Sequence, residues 1–313
     1  MATHATPPTR NLTVSTLANW YFTDCALRNL QPHTLRFYQQ KLTYLVQAHG
    51  DRAPDTVTVQ ELRDLTATLQ RERHWSAQQT NHFITVVKQF YNYLLAEELA
   101  EVNPSAKLKK LRLAEKLPTI LTQANVQGVL AVIPANFTGT RNRAMILTLL
   151  DTGIRLNELL CLTVADVDFP YRQLRIQGKG RREALVPFSV ALARVLVKYL
   201  AHRDKYALTD ALWVSRQGSP VSADYVTHML RAYGDDAGIP HLHAHLFRHT
   251  FATEFLRNGG NPQMLQRILR HTSPVVTQRY IHLTETDTST AHKTASPVEK
   301  WGLATSGSRK KKP

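Results

Sequence analysis

Apolar residues recur every three or four positions in four segments of the first hundred residues, and each segment is predicted to form a helix with one apolar face. Thr58 and Ser76 open the third and fourth segments, each followed three positions later by glutamate or glutamine, which is the pattern of a capping box. The predicted helices are Thr13–Arg28, a segment from near Pro32 to Val46, a segment from Thr58 through Leu69, and a segment from Ser76 through Leu95 that ends before Asn103-Pro104. The sequence therefore predicts a small, all-helical N-terminal domain.

Beyond residue 120 the helical pattern is interrupted by short runs of strand type. Gln173–Gln177 and Arg182–Phe188 are predicted as two strands around the turn Gly178-Lys179-Gly180, because glycine permits a positive φ at a hairpin tip. Ala211–Val214 is predicted as a further short strand. Helices are predicted from Thr122 and Ile154 onward and at Arg141–Leu150, Val221–Tyr233, Ala244–Arg257, Pro262–Leu269 and Pro274–His282. The predicted fold class is mainly α with a small antiparallel β-sheet, the sheet belonging to an α+β second domain.

A basic stretch without an apolar stripe separates the two patterns. It carries Lys107, Lys109, Lys110, Arg112 and Lys116. Such a segment is typical of a solvated linker, and it can also lie along a DNA backbone, where each cation offsets a phosphate; both can hold together. The predicted organisation is a flexible tail at 1–10, a helical domain at 11–106, a basic linker at 107–118, a second domain at 119–285 and a flexible basic tail at 286–313.

Charge and composition narrow the class of partner. The 39 Lys and Arg residues outnumber the 24 Asp and Glu residues, giving a net charge of +15, and removing the four cations of residues 309–312 still leaves +11. An excess spread through the folded part is typical of nucleic-acid binders, although ribosomal proteins and anion-binding enzymes share it. No apolar run is long enough to span a membrane, and residues 1–10 lack the apolar core of a signal peptide. Cys25 and Cys161 are expected to be buried free thiols in a reducing cytosol.

Histidine and arginine lie together near the C-terminal end. His245 and Arg248 are three positions apart, so they share one face of a predicted helix, and His271 and Tyr280 follow. An isolated pair of this kind is usually a surface feature. His241, His243, His245 and His249 are close in sequence, but no carboxylate or cysteine joins them, which disfavours a zinc site.

Two further basic residues occupy unusual positions. Arg155 follows the turn at Gly153 and is three positions before Glu158, so the pair is either an ordinary helical ion pair or an arginine held by Glu158 and aimed at an anion. Lys179 projects from the predicted hairpin tip, where lysine is usually an ordinary soluble turn residue.

Five segments together resemble, in order and spacing, the motifs of the tyrosine recombinases, the phage integrase and Xer-type site-specific DNA recombinases. They are Thr152-Gly153-Ile154-Arg155-Leu156-Asn157-Glu158, Gly178-Lys179-Gly180, His245-Leu246-Phe247-Arg248-His249, Leu269-Arg270-His271 and Thr277-Gln278-Arg279-Tyr280-Ile281-His282. The N-terminal helical unit resembles the family's SAM-like core-binding domain, so the resemblance covers roughly residues 11–285. The chain departs from the family at Arg270, where glycine is usual, and at Phe247, where leucine is commoner.

The resemblance implies a catalytic domain at 119–285 with the catalytic set Arg155, Lys179, His245, Arg248, His271 and Tyr280. The two arginines would clamp the phosphate oxygens and His271 would add a hydrogen bond. His245 would take the proton of the attacking Tyr280 phenol, and Lys179 would protonate the leaving 5′-oxygen. The expected intermediate is a 3′-phosphotyrosyl link that stores the bond energy, so neither a metal nor ATP is expected. His249 is expected to be structural.

The resemblance also implies partners and a place in the cell. The expected function is site-specific recombination or integration, with mobile-element integration and excision as the main hypothesis. Chromosome-dimer resolution is the alternative; a type IB topoisomerase-like enzyme and a non-catalytic DNA-binding protein of the same fold are less favoured. Double-stranded DNA with a specific recombination site and a homotetramer in the synaptic complex are the expected partners, with no membrane and no small-molecule substrate. A cytoplasmic, nucleoid-associated location is expected.

Overall fold

The chain divides into two units, Met1–Glu115 and Lys116–Pro313. The structure is a computed structural model and describes residues 12–113, 119–177, 183–270 and 296–300. The predicted linker, 107–118, spans the division between the units, and the predicted domain limits stay predictions. No helix among the described residues is long and apolar enough to cross a membrane.

The first unit consists of helices whose starts are set by their capping residues. These are α1 (Val14–Leu27), α2 (Pro32–His49), α3 (Val59–Glu72) and α4 (Ala77–Ala96), with 3-10 turns at Pro54–Thr56 and Pro104–Lys107. Both predicted capping boxes are present: the Thr58 and Ser76 hydroxyls accept from the backbone N–H three positions later, and the side chains of Glu61 and Gln79 accept from the caps. These caps satisfy donors that a helix start leaves without partners. The all-helical character of this unit is confirmed.

The predicted linker begins attached to the first unit. Leu108 is buried in that unit's core. The amide of Asn81 on α4 donates to the Leu111 carbonyl over 2.9 Å and accepts from the Leu111 N–H over 2.7 Å. Residues 108–111 are therefore held against α4, and the basic side chains around them project from a fixed backbone.

The second unit combines helices with a small antiparallel sheet. The helices are α5 (Gln123–Ala131), α6 (Phe137–Thr152), α7 (Leu156–Leu160), α8 (Val190–Arg203), α9 (Ala223–Asp236), α10 (Ala244–Arg257), α11 (Pro262–Leu269) and α12 (Pro297–Lys300), with a 3-10 turn at Val164–Asp166. The strands β1 (Val167–Asp168), β2 (Gln173–Gln177) and β3 (Glu183–Pro187) pair in that order. Leu174 lies opposite both Val167 and Val186, so this face of the sheet turns toward the core. The predicted fold class is confirmed.

Two predictions about this unit are wrong. Ala211–Val214 is not a strand: Ala211 and Val214 each form one isolated bridge, to Thr163 and Pro220. The run is apolar because it crosses the core, where the Trp213 indole donates to the Leu159 carbonyl over 2.8 Å. Cys161, predicted to be buried, is exposed because α7 ends at Leu160, whereas Cys25 is buried as expected. The predicted helix Pro274–His282 lies outside the described residues.

A buried arginine joins α6 to α9. Arg141 donates from Nη1 to the Val214 carbonyl over 2.9 Å and from Nη2 to the Tyr225 hydroxyl over 2.5 Å, and its guanidinium lies over the Tyr225 ring. It also donates to the side-chain oxygen of Asn142. No carboxylate accepts from it among the described residues, so neutral oxygens and an aromatic face stabilise this charge.

We expect Arg141→Met to lower the free energy of unfolding by about 2–4 kcal/mol, because it leaves buried oxygens without donors. Denaturant unfolding followed by tryptophan fluorescence measures the change. Arg143→Met is the matched control on the exposed side of α6 and should change stability by less than about 0.5 kcal/mol. Equal effects at the two positions would contradict a structural role for the Arg141 contacts.

Candidate active site

A glycine turn between α6 and α7 positions Arg155. Gly153 ends α6 in the left-handed region, with φ 62° and ψ 17°. A Cβ at this position would lie 2.5 Å from Cδ1 of Phe251 and 2.7 Å from Cδ2 of Leu269. Both the backbone conformation and the space therefore require glycine. Arg155 follows as the N-cap of α7.

Glu158 holds Arg155 at two points. Its carboxylate accepts from the Arg155 backbone N–H over 2.7 Å and from Nη1 of the Arg155 guanidinium over 2.9 Å. The Glu158 side chain is 10% exposed and that of Arg155 is 42% exposed, so the carboxylate is inside and the guanidinium reaches solvent. Burial alone would raise the pKa of the Glu158 carboxyl, but the Arg155 N–H, the Arg270 charge and the Arg155 side chain outweigh it and lower that pKa.

Arg248 lies on α10 and is buried. Its Nη1 donates to the Gly153 carbonyl and its Nη2 to the Leu269 carbonyl, each over 2.7 Å. Arg248 therefore contacts the turn that leads to Arg155. This contact brings together two of the predicted catalytic residues, which are 93 positions apart in the chain.

His245 lies one helical turn before Arg248 and is exposed. Partial desolvation lowers the pKa of its imidazole, and the positive charges of Arg248, His243 and Arg155 lower it further. The ring of His249 contacts the His245 ring edge-on, with centroids 6.3 Å apart. The lowered pKa favours a neutral His245 at neutral pH, the form that accepts a proton.

Arg155, His245 and Arg248 are therefore grouped around the Gly153 turn. The other predicted site residues, Lys179, His271 and Tyr280, lie outside the described residues. A cavity of roughly 870 Å³ in the second unit, lined mostly by apolar side chains such as Leu147 and Phe255, includes none of the three grouped residues. The grouped side chains thus lie outside this apolar cavity, and a polyanion is a better match for them than an apolar small molecule.

Arg270 also contacts the site, although the sequence did not predict this contact. Its side chain is 16% exposed and forms an ion pair with Glu158, which also holds Arg155. The sequence carried a signal, since arginine stands where the related family usually has glycine, but nothing in the pattern indicated its partner.

Comparison with known proteins shows the family of the chain. Residues 119–287 match the phage integrase family, and residues 17–101 match the N-terminal SAM-like domain of phage integrases. The chain belongs to the phage integrase family of tyrosine recombinases.

Curated relatives of this tyrosine recombinase cover most of its length. Tyrosine recombinase XerC of Alcanivorax borkumensis is 30% identical over 262 residues, which is 82% of this chain and 85% of the relative. Tyrosine recombinase XerD of Yersinia pestis is 30% identical over 268 residues, covering 82% and 88%.

Solved structures share the recombinase's fold. The Tn1549 transposon integrase in complex with transposon right-end DNA superposes with a TM-score of 0.73 at 20% identity, covering 90% of this chain and 99% of that one. The XerH site-specific recombinase bound to its difH substrate superposes with a TM-score of 0.71 at 19% identity, covering 90% and 84%. At these identities the likeness concerns the fold.

We expect Gly153→Ala to lower the free energy of unfolding by about 2–4 kcal/mol, since it combines left-handed backbone strain with contacts to Phe251 and Leu269. Gly238→Ala is the matched control: its φ is +69°, and nothing lies within 4 Å of its added Cβ. The control should lose only about 1 kcal/mol. Denaturant unfolding of both variants measures the difference, and equal losses would show that the close packing around Gly153 has no energetic effect.

Proposed function

We propose that this chain is a site-specific DNA recombinase that cleaves and rejoins DNA strands through a covalent 3′-phosphotyrosyl intermediate, without a metal or ATP. The observation that carries the proposal is the grouping of Arg155, His245 and Arg248 around the Gly153 turn. Membership of the phage integrase family and relatives named tyrosine recombinases support it.

The two arginines have complementary roles in this proposal. Arg248 is fixed by two carbonyls, and Arg155 is fixed by Glu158 while part of its guanidinium stays exposed. Arginine forks oriented before the substrate arrives stabilise the negative charge that gathers on phosphate oxygens in the transition state. His271 adds a hydrogen bond to the same oxygens.

Cleavage moves two protons and exchanges one phosphorus–oxygen bond for another. The Tyr280 oxygen attacks the phosphorus, its proton passes to His245, and the bond from phosphorus to the 5′-oxygen breaks. Lys179 gives a proton to that leaving oxygen. Because a phenol has a pKa near 10, the neighbouring cations must favour the phenolate. In the rejoining step the free 5′-hydroxyl of a partner strand attacks the phosphorus and gives its proton to Lys179, the bond from phosphorus to Tyr280 breaks, and the Tyr280 oxygen takes its proton back from His245.

The biological setting has two candidates. The main proposal is integration and excision of a mobile element, and the fold shared with the Tn1549 transposon integrase supports it. The alternative is chromosome-dimer resolution, and the relatives named XerC and XerD support that one. In both settings the protein acts on double-stranded DNA with a specific site, as a homotetramer in the synaptic complex, in the cytoplasm and associated with the nucleoid. The net charge of +15 supports the DNA partner.

We expect Tyr280→Phe to bind DNA as the unaltered protein does but to form no covalent adduct on a nicked suicide substrate. The cognate site is first selected from a random-sequence DNA library by binding. Tyr171→Phe, at an exposed tyrosine, is the matched control and should form the adduct normally. Adduct formation by the Tyr280→Phe protein would place the nucleophile elsewhere. If the unaltered protein forms no adduct on the selected site, the result would favour a non-catalytic DNA-binding protein.

The lowered pKa of His245 predicts the pH dependence of cleavage. If neutral His245 is the base, the single-turnover rate should be nearly flat at neutral pH and fall about tenfold per pH unit only below the ordinary histidine pKa of about 6.5. His245→Gln should slow cleavage by about 10²–10⁴-fold and remove this acidic limb. His228→Gln, on an exposed part of α9, is the control that should keep the profile. A limb centred above pH 7, or one kept by His245→Gln, would assign the base to another group.

A further inference from the structure

Arg270 ends α11 in a conformation that glycine adopts more readily. Its φ of 52° and ψ of 47° lie in the left-handed region, where the backbone of a residue other than glycine is strained. Unlike Arg172, which is left-handed but exposed, Arg270 has a largely buried side chain that makes a charged contact.

The contact is with Glu158. The Arg270 guanidinium and the Glu158 carboxylate form an ion pair, and both side chains are largely buried, at 16% and 10% exposure. The ion pair joins Nη2 to Oε2 of Glu158, and the buried Nε and Nη1 have no hydrogen-bond acceptor among the described residues. The ion pair is therefore the contact that compensates this charge there. Glu158 in turn binds the guanidinium and the backbone N–H of Arg155.

Residues 269 and 270 are thus linked to both arginines of the proposed site, directly to Arg248 and through Glu158 to Arg155. The Leu269 carbonyl accepts from Arg248, and Arg270 shares a carboxylate with Arg155. One carboxylate between two guanidinium groups leaves a net positive charge, whereas glycine at position 270 would leave Glu158 to neutralise Arg155 alone. Residue 270 also directly precedes His271 in the chain.

We infer that Arg270 is a positioning residue for strand cleavage. It acts through Glu158 to orient Arg155, and the same ion pair fixes the end of α11 against Glu158. This inference rests on the proposed function. Arg270 is a position at which this chain departs from its family. The family's usual glycine has conformational freedom there, whereas Arg270 forms an ion pair.

The test compares Arg270→Gly, Arg270→Lys, Glu158→Gln and the double variant Arg270→Gly/Glu158→Gln. DNA affinity and the single-turnover rate of adduct formation at saturating DNA are measured on the selected site, at a temperature where circular dichroism shows every variant folded. Arg172→Gly is the matched control, because Arg172 is also a left-handed arginine, with φ 51°, but is exposed and has no ion pair among the described residues.

We expect Arg270→Gly to slow adduct formation about tenfold or more while DNA affinity changes less than about threefold, since it alters orientation in the reacting complex. Arg270→Lys should recover part of the rate, and Arg172→Gly should keep all of it. The double variant should be no slower than the slower single variant, because an Arg270 that acts through Glu158 has no further effect once the Glu158 carboxylate is removed.

Three results would overturn the inference. An Arg270→Gly rate equal to that of the unaltered protein shows that Arg270 positions nothing. Losses that multiply fully in the double variant show that Arg270 does not act through Glu158. If the unaltered protein forms no Tyr280-dependent adduct, the proposed function fails and the inference with it, whereas normal adducts from both the unaltered and Arg270→Gly proteins defeat the inference alone.

Discussion

Arg248 donates hydrogen bonds to the backbone carbonyls of Gly153 and Leu269, and these two bonds join the ends of helices α6 and α11. The last carbonyls of a helix lack partners within it and carry the negative end of the helix dipole. The buried guanidinium satisfies carbonyls that burial would otherwise leave without donors, and the negative ends of the two helix dipoles stabilise its charge. The same two bonds fix the turn that leads to Arg155 and the residue that precedes Arg270. The contacts of Arg155 and Arg270 with Glu158 lie next to these two carbonyls in the chain.

Both helices end with a left-handed residue, and the chain solves the two cases differently. Gly153 has no room for a Cβ, so packing requires glycine there. At Arg270 the side chain is accommodated, and its ion pair with Glu158 offsets the strain of the backbone. Glu158 connects the two helix ends, because its carboxylate pairs with the guanidinium groups of both Arg155 and Arg270. The proposed phosphate-binding groups are therefore oriented by protein contacts before DNA arrives, which is the condition for electrostatic stabilisation of a transition state.

Local signals predicted much of this fold. The capping boxes fixed the starts of α3 and α4, and the predicted ranges of α10 and α11 match the observed helices. Ala211–Val214 was wrongly predicted to be a strand, because a buried apolar run has the same sequence pattern in a strand as in an irregular segment. In the site, the spacing of three between Arg155 and Glu158 predicted their contact, since it is local. The partners of Arg248 were not predictable, because backbone carbonyls 95 and 21 positions away leave no mark in side-chain pattern.

In the proposed site, the groups that hold negative charge differ from the group that accepts a proton. Arginine keeps its protons at any accessible pH, so Arg155 and Arg248 are suited to hold negative charge but not to act as acid or base. Proton removal needs a group that is neutral at working pH. Partial burial lowers the pKa of His245, and the arginine charges that would stabilise a phosphate lower that pKa further. One arrangement of fixed charges thus serves both requirements. A lysine replacing either arginine would supply charge as a single point, without the rigid fork that donates to two acceptors at once.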